Sequence, residues 1–202
     1  MYIPHYFRNN NIAEVKDFIK QNSFAILINN SGNQIYATHI PLVLGQDDKG
    51  NDTLTGHISR ANPQLKNFKE NSEVLVIFNG PHTYISSSWY DHENVPTWNY
   101  IAVHITGKLK IIEGEKLMSS LKSLVNKYEA NSEHPVSVEK ISPKLLEENL
   151  RGIIGFEIAI TDIQAAYKLS QNRDEKNQAA IINQLEKGDN DARAVAEKMK
   201  KR

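Results

Sequence analysis

The chain has 202 residues, 24 Lys and Arg against 24 Asp and Glu, and no cysteine. Balanced charge leaves no global field to draw it to nucleic acid or to an anionic membrane, and the missing thiols exclude disulfides, thiolate metal sites, iron–sulfur clusters and a cysteine nucleophile. No stretch reaches the roughly 20 apolar residues of a membrane span, and Met1-Tyr2-Ile3-Pro4-His5 lacks the basic-then-apolar pattern of a secretory signal, so a cytoplasmic protein is expected.

Ile12, Val15, Phe18 and Ile19 share a face and predict a helix over 12–22. Phe24 to Ile28 reads as a strand. Asn30-Ser31-Gly32-Asn33 supplies turn residues, and Ile35 to Leu44 returns as a second strand. After the loop Asp47 to Asn51, a third strand covers Thr53 to Ile58. This succession of hairpins predicts antiparallel pairing. Pro63 opens a short helix to about Phe68 with Asn62 as its cap. Val74 to Phe78 is apolar on both faces and predicts a central strand. Gly80-Pro81 is a turn signal before a strand over 82–86, and Trp89 and Tyr90 lie in a loop to Pro96.

The most informative segment follows. From Trp98 to near Glu113 residues alternate, with Ile101, Val103, Ile105, Leu109 and Ile111 on one face. The other face carries Trp98, Tyr100, Ala102, His104, Thr106, Lys108 and Lys110, and its aromatics and histidine suit a flat ligand or a subunit interface. Leu117, Leu121, Leu124, Val125 and Tyr128 then mark a helix from about Gly114, and Pro143 opens another. A last strand runs from Gly152 to about Leu169. Asp174 caps a helix carrying Ala179, Ile182 and Leu185, Gly188 stops it, and Ala192, Val195, Ala196 and Met199 define a final helix. Six antiparallel strands with peripheral helices predict a closed or split β-barrel, mainly β with α+β character. The expected organisation is a domain over 1–174 with a C-terminal helical extension, 175–202, packed on it.

Three segments carry candidate chemistry. Gly56-His57-Ile58-Ser59-Arg60-Ala61-Asn62-Pro63 leads from a strand into a helix start. Helix-start amides beside a guanidinium suit a phosphate, and the glycine permits close backbone approach. A solvated strand end with an ordinary Asn cap is the other reading. In Ala37-Thr38-His39-Ile40-Pro41-Leu42 the proline marks an edge or an opening in the ladder, where Thr38 and His39 either face a ligand or simply face water. Lys168-Leu169-Ser170-Gln171-Asn172-Arg173 ends the last strand with two cations and three polar side chains, which fit an anion or a charged strand terminus. Metal-binding histidine pairs, a nucleophile elbow and glycine-rich phosphate loops are missing, so no metal is expected. The basic residues of the last helices are interleaved with acids, the pattern of a solvated face.

Together these segments resemble the PaiB family of FMN-binding negative transcriptional regulators. The resemblance rests on Met1-Tyr-Ile-Pro, Ala37-Thr-His-Ile-Pro-Leu, Gly56-His-Ile-Ser-Arg-Ala-Asn-Pro, Val74-Leu-Val-Ile-Phe, Gly80-Pro, Tyr84-Ile-Ser, Ser88-Trp-Tyr, Val95-Pro-Thr-Trp-Asn-Tyr, Gly155-Phe-Glu-Ile and Lys168-Leu-Ser-Gln-Asn-Arg. Ser87 departs from the proline expected before Ser88-Trp-Tyr. The resemblance implies a six-stranded split barrel like that of pyridoxamine-phosphate oxidases, a homodimer, and FMN in the groove between subunits. It matches Thr38, His39, Ser59, Arg60 and Asn62 to the phosphate and ribityl region. Trp98, Asn99, Tyr100 and His104 match the strand beside the flavin of the partner subunit, and Lys168, Gln171 and Arg173 the strand end that closes the pocket. It implies repression of transcription, direct on DNA or through a regulatory protein partner. The other functional class open to this fold is a flavin-dependent oxidoreductase, or a haem-handling enzyme, acting on a small molecule, with His104 or Tyr100 as proton donor.

Overall fold

The computed structural model of the chain describes residues 1–31 and 34–201. Part of the expected turn, Gly32 and Asn33, lies outside them. In chain order the elements are α1 (Ile12–Gln21), β1 (Phe24–Ser31), β2 (Gln34–Pro41), β3 (Val43–Gln46), β4 (Asp52–Ser59), β5 (Ser72–Ile85), β6 (Thr97–Ile112), α2 (Gly114–Glu129), α3 (Pro143–Arg151), β7 (Ile153–Lys168), α4 (Glu175–Leu185) and α5 (Asn190–Met199). The strands hydrogen-bond in the order β2-β1-β5-β6-β7-β4-β3. Pairing is antiparallel between β1 and β2, β1 and β5, β3 and β4, and β4 and β7.

This is a mainly antiparallel β fold with several helices, as expected, but the six-stranded barrel is not what forms. The sheet has seven strands and two ends. The difference arises at Pro41. Having no N–H, proline cannot continue a ladder as donor, and Pro41 is the last residue of β2, opposite Phe24. The next amide, Leu42, turns to the carbonyl of Ser23 at 2.8 Å while its side chain is fully buried. The apolar run read as one strand therefore becomes two, and β2 and β3 take opposite ends of the strand order.

Three smaller expectations also change. Gly80-Pro81 makes no turn, because β5 runs through it; proline's fixed φ and the extended bias on the residue before it both suit a strand. In β6 the alternation holds to Leu109 and then slips, leaving Ile111 exposed and Ile112 buried. The buried face of α4 is Asn177, Ile181 and Leu185, with Ala179 exposed, because a polar residue, Asn177, takes the buried position in the first turn. It is held by Asp91 Oδ1 at 3.0 Å and Asp174 Oδ2 at 2.8 Å.

The residues form two compact units. One comprises residues 18–77 and 105–163. Its core includes Leu27, Leu42, Leu54, Val76, Ile105, Leu109 and Ile158, with Phe68 edge-on to Phe156 at 5.4 Å between centroids. Gly56 belongs to this packing: a Cβ there would fall 2.6 Å from Leu42 Cδ2 and 3.2 Å from Phe156 Cζ, so its missing side chain makes room for the core. The other unit comprises residues 1–17, 78–104 and 164–202. Here Ala192, Val195, Ala196 and Met199 of α5 are all buried, the face that the sequence marks, and Ile181 and Leu185 of α4 join the same core.

Candidate functional site

In the unit formed by residues 18–77 and 105–163, an open cleft of about 520 Å³ is lined by β2, β4, the turn after β4 and the end of α3. It gathers Thr38, His39, Ser59 and Asn62, four of the five residues matched to the phosphate region, and adds His57, Glu148 and Asn149. The fifth, Arg60, does not line it. Its side chain is exposed, next to Ser59, and makes no hydrogen bond or ion pair among the described residues.

A hydrogen-bonded network fixes the floor of this region. Asn62 Nδ2 donates to Thr38 Oγ1 at 3.0 Å, and that hydroxyl donates to Gln64 Oε1 at 2.5 Å. Gln64, 1% exposed, donates from Nε2 to the Leu27 carbonyl at 3.1 Å. Asn62 caps the turn Pro63–Asn67 as expected, its Oδ1 accepting from the Gln64 amide. The backbone donors are consequently engaged. Arg60 donates to the Gly152 carbonyl, Ala61 to Ser59 Oγ, Asn62 to the Ser59 carbonyl and Leu65 to the Asn62 carbonyl. The anion site read from free helix-start amides is therefore absent: the helix is one short 3₁₀ turn whose donors are satisfied internally. Binding chemistry in the cleft rests on side chains.

Two imidazoles flank it. His39 is exposed and stacks on Phe24 at 6.1 Å with 28° between planes. His57 is half-buried, and desolvation holds its pKa below the ordinary imidazole value, so it is neutral at pH 7. Glu148 supplies the carboxylate missing from the strand segments themselves.

The remaining candidates lie in the other unit. Trp98 is 53% exposed and Tyr84 46%. The two rings meet edge to face at 6.2 Å, and His82 lies 6.2 Å from Trp98 on the same patch. Asn99 faces the opposite way: it is fully buried and exchanges hydrogen bonds with Ser170 Oγ at 3.0 and 3.1 Å. His104 is half-buried, and desolvation first, then the Met1 ammonium, lower its pKa. Lys168 Nζ donates to Thr97 Oγ1 and, at 2.8 Å, to the Trp98 carbonyl, so it clamps the start of β6 beneath the exposed indole. Its pKa is lowered by burial and then by Arg173. Arg173 stacks its guanidinium 5.3 Å over Tyr90, and Gln171 is engaged locally with the Leu169 amide and the Tyr167 carbonyl.

Sequence reasoning did not single out Gln64, Glu148, Asn149 or Tyr84 for the site. Gln64 had a usable signal, since it follows Pro63 in a capped turn; the α3 residues had none.

Comparison with known proteins bears on the family of the chain. The family model described as "Putative FMN-binding domain" matches residues 1–162. "Protease synthase and sporulation protein PAI 2" of Bacillus subtilis is 47% identical over 200 residues, covering 98% of this chain and 96% of that protein. Two solved structures share the fold at low identity. The FAD and heme binding protein from Mycobacterium smegmatis has a TM-score of 0.60 at 13% identity, covering 86% of this chain and 78% of its own. The flavocytochrome Anf3 from Azotobacter vinelandii has a TM-score of 0.62 at 16% identity, covering 87% and 76%. A match running from the first residue through β6, α2, α3 and most of β7, with close similarity to PAI 2 along nearly the whole chain, shows that this protein belongs to the PaiB-type family of FMN-binding domain proteins.

Proposed function

We propose that the protein binds FMN as a homodimer and acts as a flavin-binding negative regulator of transcription, reaching its promoter through a protein partner. The observation that carries this reading is the family match over residues 1–162 together with the polar cleft at Thr38, His39, Ser59 and Asn62. FMN joins a flat ring, a hydroxylated chain and a dianionic phosphate. Hydroxyl and amide side chains in the cleft suit the chain, and the unengaged guanidinium of Arg60 at its edge suits the phosphate. Trp98 and Tyr100, with His104 further along β6, suit the flavin of a second subunit, as the family resemblance implies. Lys168, Gln171 and Arg173 act as positioning residues there, since Lys168 already holds the start of β6, Arg173 lies over Tyr90, and Gln171 ties down the backbone at Tyr167 and Leu169. Bound FMN would supply a redox-active ring.

Indirect repression follows from charge. The chain has no net charge, and phosphate neutralisation supplies most non-specific DNA affinity.

The test is preference for the phosphate. FMN is expected to bind at least tenfold tighter than riboflavin, about 1.4 kcal/mol, in a flavin fluorescence titration. Comparable affinities would remove the phosphate assignment, and no binding of either would remove the flavin reading. Light scattering at micromolar concentration should return a dimer; a monomer would remove the two-subunit site.

A further inference from the structure

Strand β5 changes phase at Gly80-Pro81. Before the dipeptide Phe78 is buried and Asn79 exposed; after it His82 and Tyr84 are exposed and Ile85 is buried. Successive side chains of a strand point to opposite faces, so an unbroken alternation would put His82 and Tyr84 on the buried side with Phe78. A one-residue slip re-aims the side chains that follow it, and glycine and proline are the residues that accept one within a strand. Its result here is that two aromatic side chains turn from the core to the outer face.

There they stand beside Trp98 of β6, the next strand in the sheet. Tyr84 meets the indole edge to face, with 6.2 Å between centroids and 72° between planes. The His82 ring lies 6.2 Å from the indole at 33°. Each ring is held in its own way. Lys168 Nζ donates to the Trp98 carbonyl at 2.8 Å and fixes the backbone beneath the indole. His82 donates from Nδ1 to the Gly80 carbonyl at 3.2 Å. Tyr84 sets the tilt of the indole, because the edge-to-face arrangement is one that aromatic pairs prefer. Exposed side chains ordinarily change rotamer within nanoseconds. An indole held at one angle although 53% exposed is preorganised, and a ligand that stacks on it binds without first paying to order it.

We propose that Tyr84 is a positioning residue for the flavin: it holds the indole of Trp98 at the angle on which the isoalloxazine ring stacks, and His82 widens the same aromatic face. This rests on the flavin reading above and adds the residues that govern the surroundings of the ring, as distinct from its chain and phosphate. An indole is electron-rich and an isoalloxazine electron-poor, so contact between them combines stacking with charge transfer and quenches the emission of the flavin. That quenching needs the indole face against the ring, and it reports the tilt that Tyr84 sets.

The experiment titrates FMN into the full chain and into Tyr84→Leu, Tyr84→Phe and Trp98→Leu, reading affinity and the emission of the bound flavin. FMN bound to the parent is expected to be strongly quenched. Trp98→Leu should bind at least tenfold more weakly and restore the emission. Tyr84→Leu leaves the indole present but unheld; it should lose at least threefold in affinity and restore part of the emission. Tyr84→Phe keeps the ring edge and should match the parent. Both sites are exposed, so thermal midpoints should stay unchanged, and a merely structural role would move the midpoint without moving the emission. The proposal is overturned if Tyr84→Leu matches the parent in both readouts, if Tyr84→Phe behaves like Tyr84→Leu, or if Trp98→Leu leaves the bound flavin quenched. In each of those outcomes FMN still binds and the flavin reading stands; a parent chain that binds no flavin overturns both.

Discussion

Thr38→Val isolates the network beneath the candidate flavin cleft. Valine nearly matches threonine in shape and removes only the hydroxyl, which receives a hydrogen bond from Asn62 and gives one to Gln64 Oε1. Gln64 is 1% exposed, so water cannot replace the lost donor. An orphaned buried acceptor costs about 1–3 kcal/mol. Taking about 2 kcal/mol, and about 2–4 °C per kcal/mol for a chain of this size, the thermal midpoint should fall by about 4–8 °C. The assay is urea and thermal unfolding of Thr38→Val, Gln64→Met and the double variant. Because the two side chains bond directly, the double variant should be less destabilised than the sum of the singles by at least about 1 kcal/mol. A Thr38→Val midpoint within about 1 °C of the parent, or strict additivity, would refute the reasoning. Flavin affinity should drop in the same variant, because the network also orients Asn62.

Arg60 and Lys110 should separate binding from stability. Arg60→Ala is expected to weaken FMN by about 1.5–3 kcal/mol with the unfolding midpoint unchanged. Lys110→Ala should leave FMN affinity intact and cost about 1–2 kcal/mol of stability, since it strands buried Glu157, a penalty reduced by the partial exposure of the lysine. The opposite pattern would reverse both roles. Gly107→Ala brings a methyl within 2.6 Å of the Ala159 carbonyl oxygen and into Ile158, and overpacking should cost about 1–3 kcal/mol in a denaturation curve. For pH, burial lowers the pKa of His57 in the folded state, so the unfolded chain binds more protons just below the ordinary imidazole value. His57 therefore contributes stability that is fully present above that value and is lost as pH falls through it. Between about pH 8 and pH 5.5 the midpoint should decline, and His57→Gln should flatten that decline; an unchanged slope would show that His57 carries none of it.

How far the sequence reveals the structure depends on whether a residue's partner is close in the chain. Asn62 and Asp174 are legible as caps because a cap answers amides two or three residues ahead. The alternation of β6 is legible to Leu109, where each side chain has one face to choose. It fails at Lys110 and Ile111, where Lys110 pairs with Glu157 from another strand. Asn177 looks unsuited to a buried face until Asp91, far back in the sequence, is seen to hold it. The candidate cleft follows the same rule. Thr38 and Asn62 stand out through proline and capping patterns, whereas Glu148 and Asn149 come from a helix with no marked signal and meet them only in space.

The interleaving of the two compact units bears on how this protein is made and how it can be cut. β4 pairs along its length with β7, Thr53 opposite Ala159 and Ser59 opposite Ile153, about a hundred residues later in synthesis. Until β7 emerges from the ribosome, Leu54 and Ile58 belong to a strand with one side unpaired, and such edges favour association with other chains. Loop closure over that distance also makes the pairing a late event. Each unit is assembled from separate stretches of chain, so no single truncation yields either unit whole. A fragment ending before residue 153 lacks the strand that completes β4, and one ending at 163 loses the segment that carries α4 and α5. Point substitutions, not halves of the chain, are the means of assigning its activities.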